Sequence, residues 1–199
     1  HVNFRQSHLR CTNFSGANLT GVNLREAQAN GANFAWANLS GALLYGTNIA
    51  AAQFSGVNLE RSRLNGLHFD DCDLNGVSFS HAHMKGTSLQ RANLTAANFA
   101  YAQMQNANLQ QAKMMGANLQ HTQLQRANLT DANLSRAHID QTDFSDAVLT
   151  NATLQDPATP GKTHREFATR QPVSIPPMQA QVPAVSPRLY MSVSPAIVR

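Results

Sequence analysis

Large apolar side chains recur at every fifth position of this chain. From Phe4 to Leu154, 30 of the 31 positions in the series hold Leu, Phe, Ile or Met, and only Ala29 departs from it. The residue two positions earlier is small: it is Ala at 18 positions and Val, Thr, Ser or Cys at all others except Leu67. The residue between the two is Asn 14 times, and ten glycines stand two positions after the large residue.

A period of five residues fits neither an α-helix nor an ordinary strand. Five residues turn a helix through about 500°, so the large residues would be spread around its circumference. Side chains of a strand alternate with a period of two. A chain that turns a corner every five residues instead sends one large and one small side chain inward from each side, and glycine at the corner permits a positive φ. The sequence therefore predicts a chain that turns a corner every five residues around a filled core.

The segments GANLT, RANLT, DANLS and GANFA closely resemble the A(D/N)LXX signature of the pentapeptide-repeat proteins. The resemblance covers about residues 2–155. It implies an all-β fold: a right-handed, quadrilateral parallel β-helix (a β-solenoid) with four pentapeptides per coil and about seven to eight coils. We therefore expect two regions, a pentapeptide-repeat β-helix at 1–155 and an irregular Pro-rich C-terminal tail at 156–199, which serves as cap, linker or binding arm. All eight prolines lie in the tail, and proline cannot continue a strand ladder.

In a coil of four pentapeptides, each repeat lies above the repeat that stands four repeats earlier in the sequence. This arrangement predicts ring stacks on two neighbouring faces: Phe14, Phe34 and Phe54 on one, Phe79 and Phe99 on the other, with a change of face near Phe69. We expect these rings to be core and the recurrent Asn residues to form ladders of side chains along the rod.

The same arrangement predicts three groups of outward side chains that are candidates for a protein-contact surface. One column contains Arg61, His81, Tyr101 and His121; a second contains Arg5, Arg25 and Tyr45; a third contains Trp36, the only Trp, between Gly16 and Gly56. For the histidine column, a solvated face is the leading interpretation, a protein contact the second and a metal between stacked imidazoles the third. Trp36 is a candidate interface residue, or it packs against a segment that precedes residue 1.

The two cysteines indicate neither a disulfide framework nor a zinc site, because their positions have no metal-like spacing. Cys72 occupies a small inward position, so we expect it to be buried and unreactive. Cys11 falls on an outward corner, where nothing nearby indicates activation.

Charge excludes further classes of function. The net charge is +4, but residues 1–155 carry ten Lys or Arg against nine Asp or Glu, so neither a nucleic-acid groove nor an acidic, DNA-like surface is indicated. No apolar run is long enough for a membrane span. No nucleophile, base and orienting group fall into a catalytic pattern, so we expect no enzyme, no cofactor and no metal.

The leading hypothesis is a non-enzymatic scaffold or protein-protein interaction module whose partner is a protein of unknown identity. An end-to-end or tail-mediated homo-oligomer is a further candidate, since a solenoid end exposes strand edges. Two alternatives come from the family resemblance: a DNA-mimic modulator of DNA gyrase or topoisomerase, and an exported bacterial effector or secretion-linked accessory domain. The compartment is unknown, with a cytoplasmic location expected first. The chain opens inside the repeat, which suggests an excerpt of a longer protein.

Overall fold

A computed structural model describes residues 2–154 of this protein. Its backbone pairs with itself at a fixed interval of four pentapeptides. Parallel bridges join each paired residue to its equivalent in the next coil, from Asn3 with Asn23 to Asn133 with Thr153. Each side of a coil contributes one bridged residue, so the sides are formed by isolated bridges. The fold is thus a β-helix. The predicted Pro-rich tail lies outside the described residues, and within residues 2–154 no helix has the length and apolar character of a membrane span.

Four ladders of bridged residues define four faces. Each face contains one bridged residue from each coil. Face 1 runs from Asn3 to Asp143, face 2 from His8 to Val148, face 3 from Asn13 to Thr153 and face 4 from Asn18 to His138. Two-residue corners join the faces. We call the corner between faces 3 and 4 the Trp36 edge (pairs 15–16, 35–36 and so on to 135–136). The corner between faces 4 and 1 is the Tyr101 edge (pairs 20–21 to 140–141).

Every corner from Gln6 to Asn151 has a positive φ at its second residue. The 30 values lie between 54° and 74°, at ten glycines and 20 other residues. This conformation directs the corner N–H at the next coil: Gly16 N donates to Ala35 O at 2.9 Å. The left-handed conformation costs an L-residue roughly 1–2 kcal/mol more than glycine, which explains why glycine is confined to this position of the frame.

Asparagine is frequent before the large apolar residue because its side chain holds the corner that follows. In all 14 cases Asn Oδ1 accepts a hydrogen bond from the backbone N–H two residues later. Such local turns are typical of Asn and Asp. The expected ladders of Asn side chains along the rod are therefore wrong as a general feature, since the Oδ1 acceptor is used within its own coil. Only Asn48 and Asn93 also donate to the neighbouring coil, to Gln28 and Asp73.

The core is a continuous column of the large residues with small ones beside them. The predicted ring stacks are confirmed, with centroids 5.3 Å (Phe14–Phe34), 5.4 Å (Phe34–Phe54) and 5.0 Å (Phe79–Phe99) apart. The predicted change of face is also present, because Phe69 meets both Phe54 and Phe79 edge-on. Stacking and apolar burial of this kind stabilise the rod along its length.

Within residues 2–154, pairing between coils is interrupted at one place, which we call the seam (residues 46–57 facing 65–78). Asn48 does not bridge to His68, nor Gln53 to Asp73, so faces 2 and 3 are broken there. Faces 1 and 4 are unbroken. The seam coincides with Leu67, the one large residue at a small position, which is 3% exposed. The edge-on contact between Phe54 and Phe69, with ring centroids 5.2 Å apart, lies at the same place, and we attribute the interrupted pairing to this contact and to the bulk of Leu67.

The seam corrects the expectation for Cys72. This side chain is half-buried instead of buried, because the coil above it is not hydrogen-bonded across the seam. Burial nevertheless raises the pKa of the Cys72 thiol, and the carboxylates of Asp70 and Asp71 act in the same direction. Both effects disfavour the thiolate, the form that reacts. Cys11 is exposed, as expected.

Candidate functional site

Five of the eight candidate residues flank one face. Trp36 lies on one edge of face 4, while Arg61, His81, Tyr101 and His121 lie on the other, each in the same register of its coil. The remaining three, Arg5, Arg25 and Tyr45, lie on the corner between faces 1 and 2, diagonally across the rod from Trp36. The fold therefore separates the candidates into one surface and one distant group.

The bridged positions of face 4 carry no charge over most of its length. Its bridges run without interruption past the seam, because Asn58 pairs with both Asn38 and Ser78. Its bridged residues are Asn18, Asn38, Asn58, Ser78, Asn98, Asn118 and His138. The Asn side chains are fixed by their bonds to the following corners, for example Ser40 N to Asn38 Oδ1 at 3.1 Å. Binding to such a face requires no desolvation of a charge, which is a large cost elsewhere.

Trp36 is the most exposed large apolar side chain of the Trp36 edge. It is 73% exposed, and its indole lies over Gly56, one coil further along. Met115 lies on the same edge and is 43% exposed. Only small or uncharged residues stand between them: Ser55, Gly56, Asn75, Gly76, Thr95 and Ala96. The sequence analysis did not select Met115. Its place in the frame, which it shares with Ser15 and Ser135, was a sufficient signal that its side chain points outward.

The Tyr101 edge presents three parallel rings. The Tyr101 ring lies 4.9 Å from that of His81 and 4.5 Å from that of His121, with interplanar angles of 2° and 9°. The predicted column is therefore present. Tyr101, which is 50% exposed, separates the two imidazoles, so one metal ion between adjacent stacked imidazoles does not fit this order of rings. Across residues 2–154, no three His, Cys, Asp or Glu side chains are grouped as metal ligands.

The distant group forms two separate pairs. Arg5 bonds Glu26 at 3.3 Å, while Arg25 Nη1 donates to the Tyr45 hydroxyl at 2.8 Å. The Arg25 guanidinium also lies 5.5 Å from the centre of the Tyr45 ring. These contacts occupy the groups that a partner would use, so this corner is less available for binding than face 4.

Perturbed carboxyls lie away from face 4. Arg91 forms two hydrogen bonds to Asp71, both at 2.7 Å, and they lower the pKa of that carboxyl. The hydroxyl and backbone N–H of Ser145 lower the pKa of Asp143, with Gln125 contributing. Each shift comes from hydrogen bonds near the surface of the rod, and the thiol next to Asp71, that of Cys72, has a raised pKa, which disfavours its reactive form. These groups stabilise corners of the rod.

The repeat region matches a known family along its whole length. The family model "Pentapeptide repeats" matches residues 1–34, 30–66, 52–91, 72–111, 92–131 and 127–156, in eight copies. No curated protein sequence matches the chain significantly.

Several solved structures are similar over much of the chain. A trypsin-treated QnrB1, a plasmid-mediated fluoroquinolone resistance protein, is 14% identical with a TM-score of 0.41, covering 77% of this chain and 90% of that one. HetL, involved in heterocyst differentiation regulation in the cyanobacterium Nostoc, is 24% identical with a TM-score of 0.24, covering 78% and 86%. A pentapeptide repeat protein of the Arabidopsis thaliana thylakoid lumen is 23% identical with a TM-score of 0.30, covering 47% and 69%.

The family assignment is carried by the repeat itself. The family model spans residues 1–156, a range that includes the five-residue frame from Phe4 to Leu154 and the bridged residues from Asn3 to Thr153. The chain belongs to the pentapeptide-repeat family.

Proposed function

We propose that this protein is a non-enzymatic scaffold that binds another protein through face 4 and its two edges. The observation that carries the proposal is the pair of exposed aromatic residues, Trp36 and Tyr101, at opposite edges of an uncharged and unbroken face. Aromatic side chains dominate the binding energy of protein interfaces, and charge is depleted at the centre of such interfaces.

A filled and regular core supports a scaffold over an enzyme. The inward residues, among them Phe34, Phe79 and Phe99, are fully buried, so the side chains available to a partner are those on the outer faces and corners of the rod. Catalysis needs reacting groups that converge in a water-excluding site. A rigid face instead binds by shape and by its edge side chains, with little loss of conformational entropy.

Charge disfavours the DNA-mimic alternative. Residues 2–154 carry ten Lys or Arg and nine Asp or Glu, and the acidic Asp71 is paired with Arg91. A protein surface that replaces DNA needs a strong and continuous negative potential. Neither face 4 nor its edges supplies one.

The proposal is tested by capture with the whole chain as bait, in lysates of the source organism. The double variant Trp36→Ser/Tyr101→Ser removes both edge aromatics of face 4 and leaves the core unchanged. Tyr45→Ser is the matched control, since it removes an exposed aromatic residue (38% exposed) from the distant corner. We expect a partner that is retained by the wild type and by the control and lost with the double variant. Retention by all three baits, or no specific partner for any, contradicts the proposal.

A further inference from the structure

We infer that the seam is a hinge. The rod bends there about the Tyr101 edge, so that the two coils open and close at what we call the open corner, the corner between faces 2 and 3 (pairs 50–51 and 70–71). This motion sets the angle between the part of face 4 that carries Trp36 and the part that carries Tyr101. The hinge is independent of the proposed function, whereas its use to regulate the contact rests on that function.

Eight backbone N–H groups at the seam have no backbone acceptor across it. Five belong to the coil before the seam and three to the coil after it: Gly46, Ile49, Ala51, Phe54 and Gly56, then His68, Asp73 and Ser78. The equivalent groups one coil later all donate to their neighbouring coil: Gly66, Phe69, Asp71, Leu74 and Gly76, then Ser88, Asn93 and Asn98. The loss of pairing is therefore local to one turn of the solenoid.

The bonds that remain in this turn all lie beside the Tyr101 edge. On face 1, Arg63 N donates to Ala42 O at 2.8 Å, and at the corner itself Arg61 N donates to Ser80 O at 2.9 Å. The other two remaining donors are the N–H groups of Leu44 and Leu59. Because this corner is held and the opposite one is not, the coils separate by rotation about the held corner.

No side-chain contact ties the open corner shut. Its wall before the seam consists of Ala50 and Ala51, both exposed. The carboxylates of the facing wall are used by the following coil, since Gln90 N donates to Asp70 at 2.9 Å and Arg91 donates to Asp71 at 2.7 Å. Within residues 2–154, no side-chain hydrogen bond or ion pair joins the two walls.

Bending is easiest at the seam. One coil later, a bend toward the Tyr101 edge must stretch backbone hydrogen bonds at the corner between faces 2 and 3, such as that from Asp71 N to Gln90 O at 2.9 Å. At the seam those bonds are absent, so the same motion breaks none. Hinges concentrate movement in a few residues and leave the bodies on either side rigid.

The hinge lies between the two edge aromatics of the proposed binding face. Trp36 stands one coil before the seam, and its indole reaches over Gly56, the last unpaired corner residue. Tyr101 stands beyond the seam, between two stacked rings. A partner that contacts both aromatics favours the bend angle at which both fit, because a ligand shifts a conformational equilibrium toward the state that it binds better.

A disulfide across the open corner tests whether the seam closes. In the same column, Cys11 Sγ lies 3.1 Å from the position of a Cβ at Gly31, one coil later, so closely paired coils have the geometry for a disulfide here. The reference pair is therefore Gly31→Cys with the native Cys11. The test pair is Ala51→Cys/Asp71→Cys with Cys11→Ser, and both pairs carry Cys72→Ala.

The rates of disulfide formation in the whole chain report the motion. Alkylation rates of the reduced cysteines correct for differences in thiol reactivity. We expect the test pair to form its disulfide at least about tenfold more slowly than the reference pair, because closure must displace the bulky Leu67 from a column of small residues. Leu67→Thr should bring the test pair to the reference rate, whereas Leu67→Met, which keeps the bulk, should leave it slow.

Two results overturn the hinge. If the test pair forms no disulfide while the reference pair does, the seam does not close. If it forms one as fast as the reference pair with Leu67 in place, the seam is not open in solution.

Capture with the trapped and the reduced test pair as baits reads the regulation. We expect the partner that is lost with Trp36→Ser/Tyr101→Ser to be retained to different extents by these two baits. Equal retention overturns the regulation, while the proposed function stands. If no bait captures a specific partner, the proposed function and its regulation fail together, and the disulfide rates still decide the hinge.

Discussion

The indole of Trp36 lies against the backbone of Gly56, so that a Cβ added at Gly56 would lie 2.7 Å from the Cδ2 atom of the ring. The contact exists because both residues are second corner residues, one coil apart, with φ of 61° and 65°. It orients the most exposed aromatic side chain of the described rod along its axis. The position of the ring therefore depends on a glycine in the neighbouring coil.

Replacing Gly56 by Ala is expected to destabilise the protein more than replacing Gly66 by Ala. Both variants place a Cβ on a left-handed corner, at a cost of about 1 kcal/mol, but only the Gly56 variant must also displace the indole. In a Trp36→Ala background, the costs of the two substitutions should become equal. Urea denaturation of the four variants, compared as a double-mutant cycle, measures the difference. Equal costs in the presence of Trp36 would contradict the contact.

Ala96→Gly is expected to stabilise the protein by about 0.5–1 kcal/mol. Ala96 has a φ of 54°, and relief of the left-handed conformation, roughly 1–2 kcal/mol, exceeds the entropic cost of glycine, about 0.5–1 kcal/mol. The next residue supplies a control: Ala97 is fully buried and has no positive φ, so Ala97→Gly should destabilise. Thermal and urea unfolding measure both changes, and a loss of stability with Ala96→Gly would show that the corner is not strained.

The sequence alone predicts the features that depend only on the five-residue frame. Because the five-residue period has no insertion, equivalent residues of successive coils could be assigned to one column, and the contacts of Arg25 with Tyr45 and of Tyr101 with His121 follow directly. The use of Asn was misjudged for a physical reason. A column of identical side chains suggests bonds along the rod, but the N–H two residues later is a nearer donor for Asn Oδ1.

The seam depends on how two neighbouring faces pack, which periodicity does not describe. Leu67 was visible as the one large residue in a small column. Its effect on the pairing, however, depends on the edge-on meeting of Phe54 and Phe69, at 74°, and thus on three-dimensional packing. The half-buried state of Cys72 follows from the same cause. In the same way, the placement of Trp36 and Tyr101 on two edges of one face emerges only when the four faces are put in order.

Protonation of Asp143 is expected to lower stability in acid. Hydrogen bonds from the Ser145 hydroxyl (2.6 Å) and N–H (2.9 Å) and from Gln125 (2.6 Å) lower its pKa. Since the folded-state pKa is the lower one, the contribution to stability is present above the unfolded-state pKa, about 3.9, and is lost as the pH falls through the folded-state pKa.

Unfolding free energies of Asp143→Asn and wild type, measured by urea denaturation between pH 6 and pH 2, test this. The variant should depend less on pH, because it lacks the titrating group. Asp71→Asn should also reduce the dependence of stability on pH. Because both members of the pair of Asp71 with Arg91 are exposed, added salt should reduce the effect of Asp71→Asn more than that of Asp143→Asn. Parallel curves for Asp143→Asn and wild type would contradict the assignment.

Amide hydrogen exchange is expected to be fastest, away from the two ends of the rod, at the seam. The N–H groups of Ile49, Ala51 and Phe54 have no backbone acceptor across the seam, whereas their counterparts on the same faces do, such as Leu94 N to Lys113 O at 2.7 Å. A net hydrogen bond is worth about 1 kcal/mol, so each such amide should exchange roughly fivefold faster or more. Mass spectrometry of peptides covering 46–57 and 65–78, compared with 86–97, measures the difference.

Leu67→Thr tests whether the large side chain holds the coils apart. The residues above and below it in the column are Thr47 and Thr87, whose hydroxyls donate to Leu24 O at 2.7 Å and Leu64 O at 3.1 Å. A threonine at 67 should repeat this pattern, let the two coils approach and slow exchange at Ile49 and Phe54. Cys72→Ala is the control, because it changes the same coil without removing the bulk. If exchange at the seam is unchanged by Leu67→Thr, the edge-on contact between Phe54 and Phe69 alone keeps the coils apart.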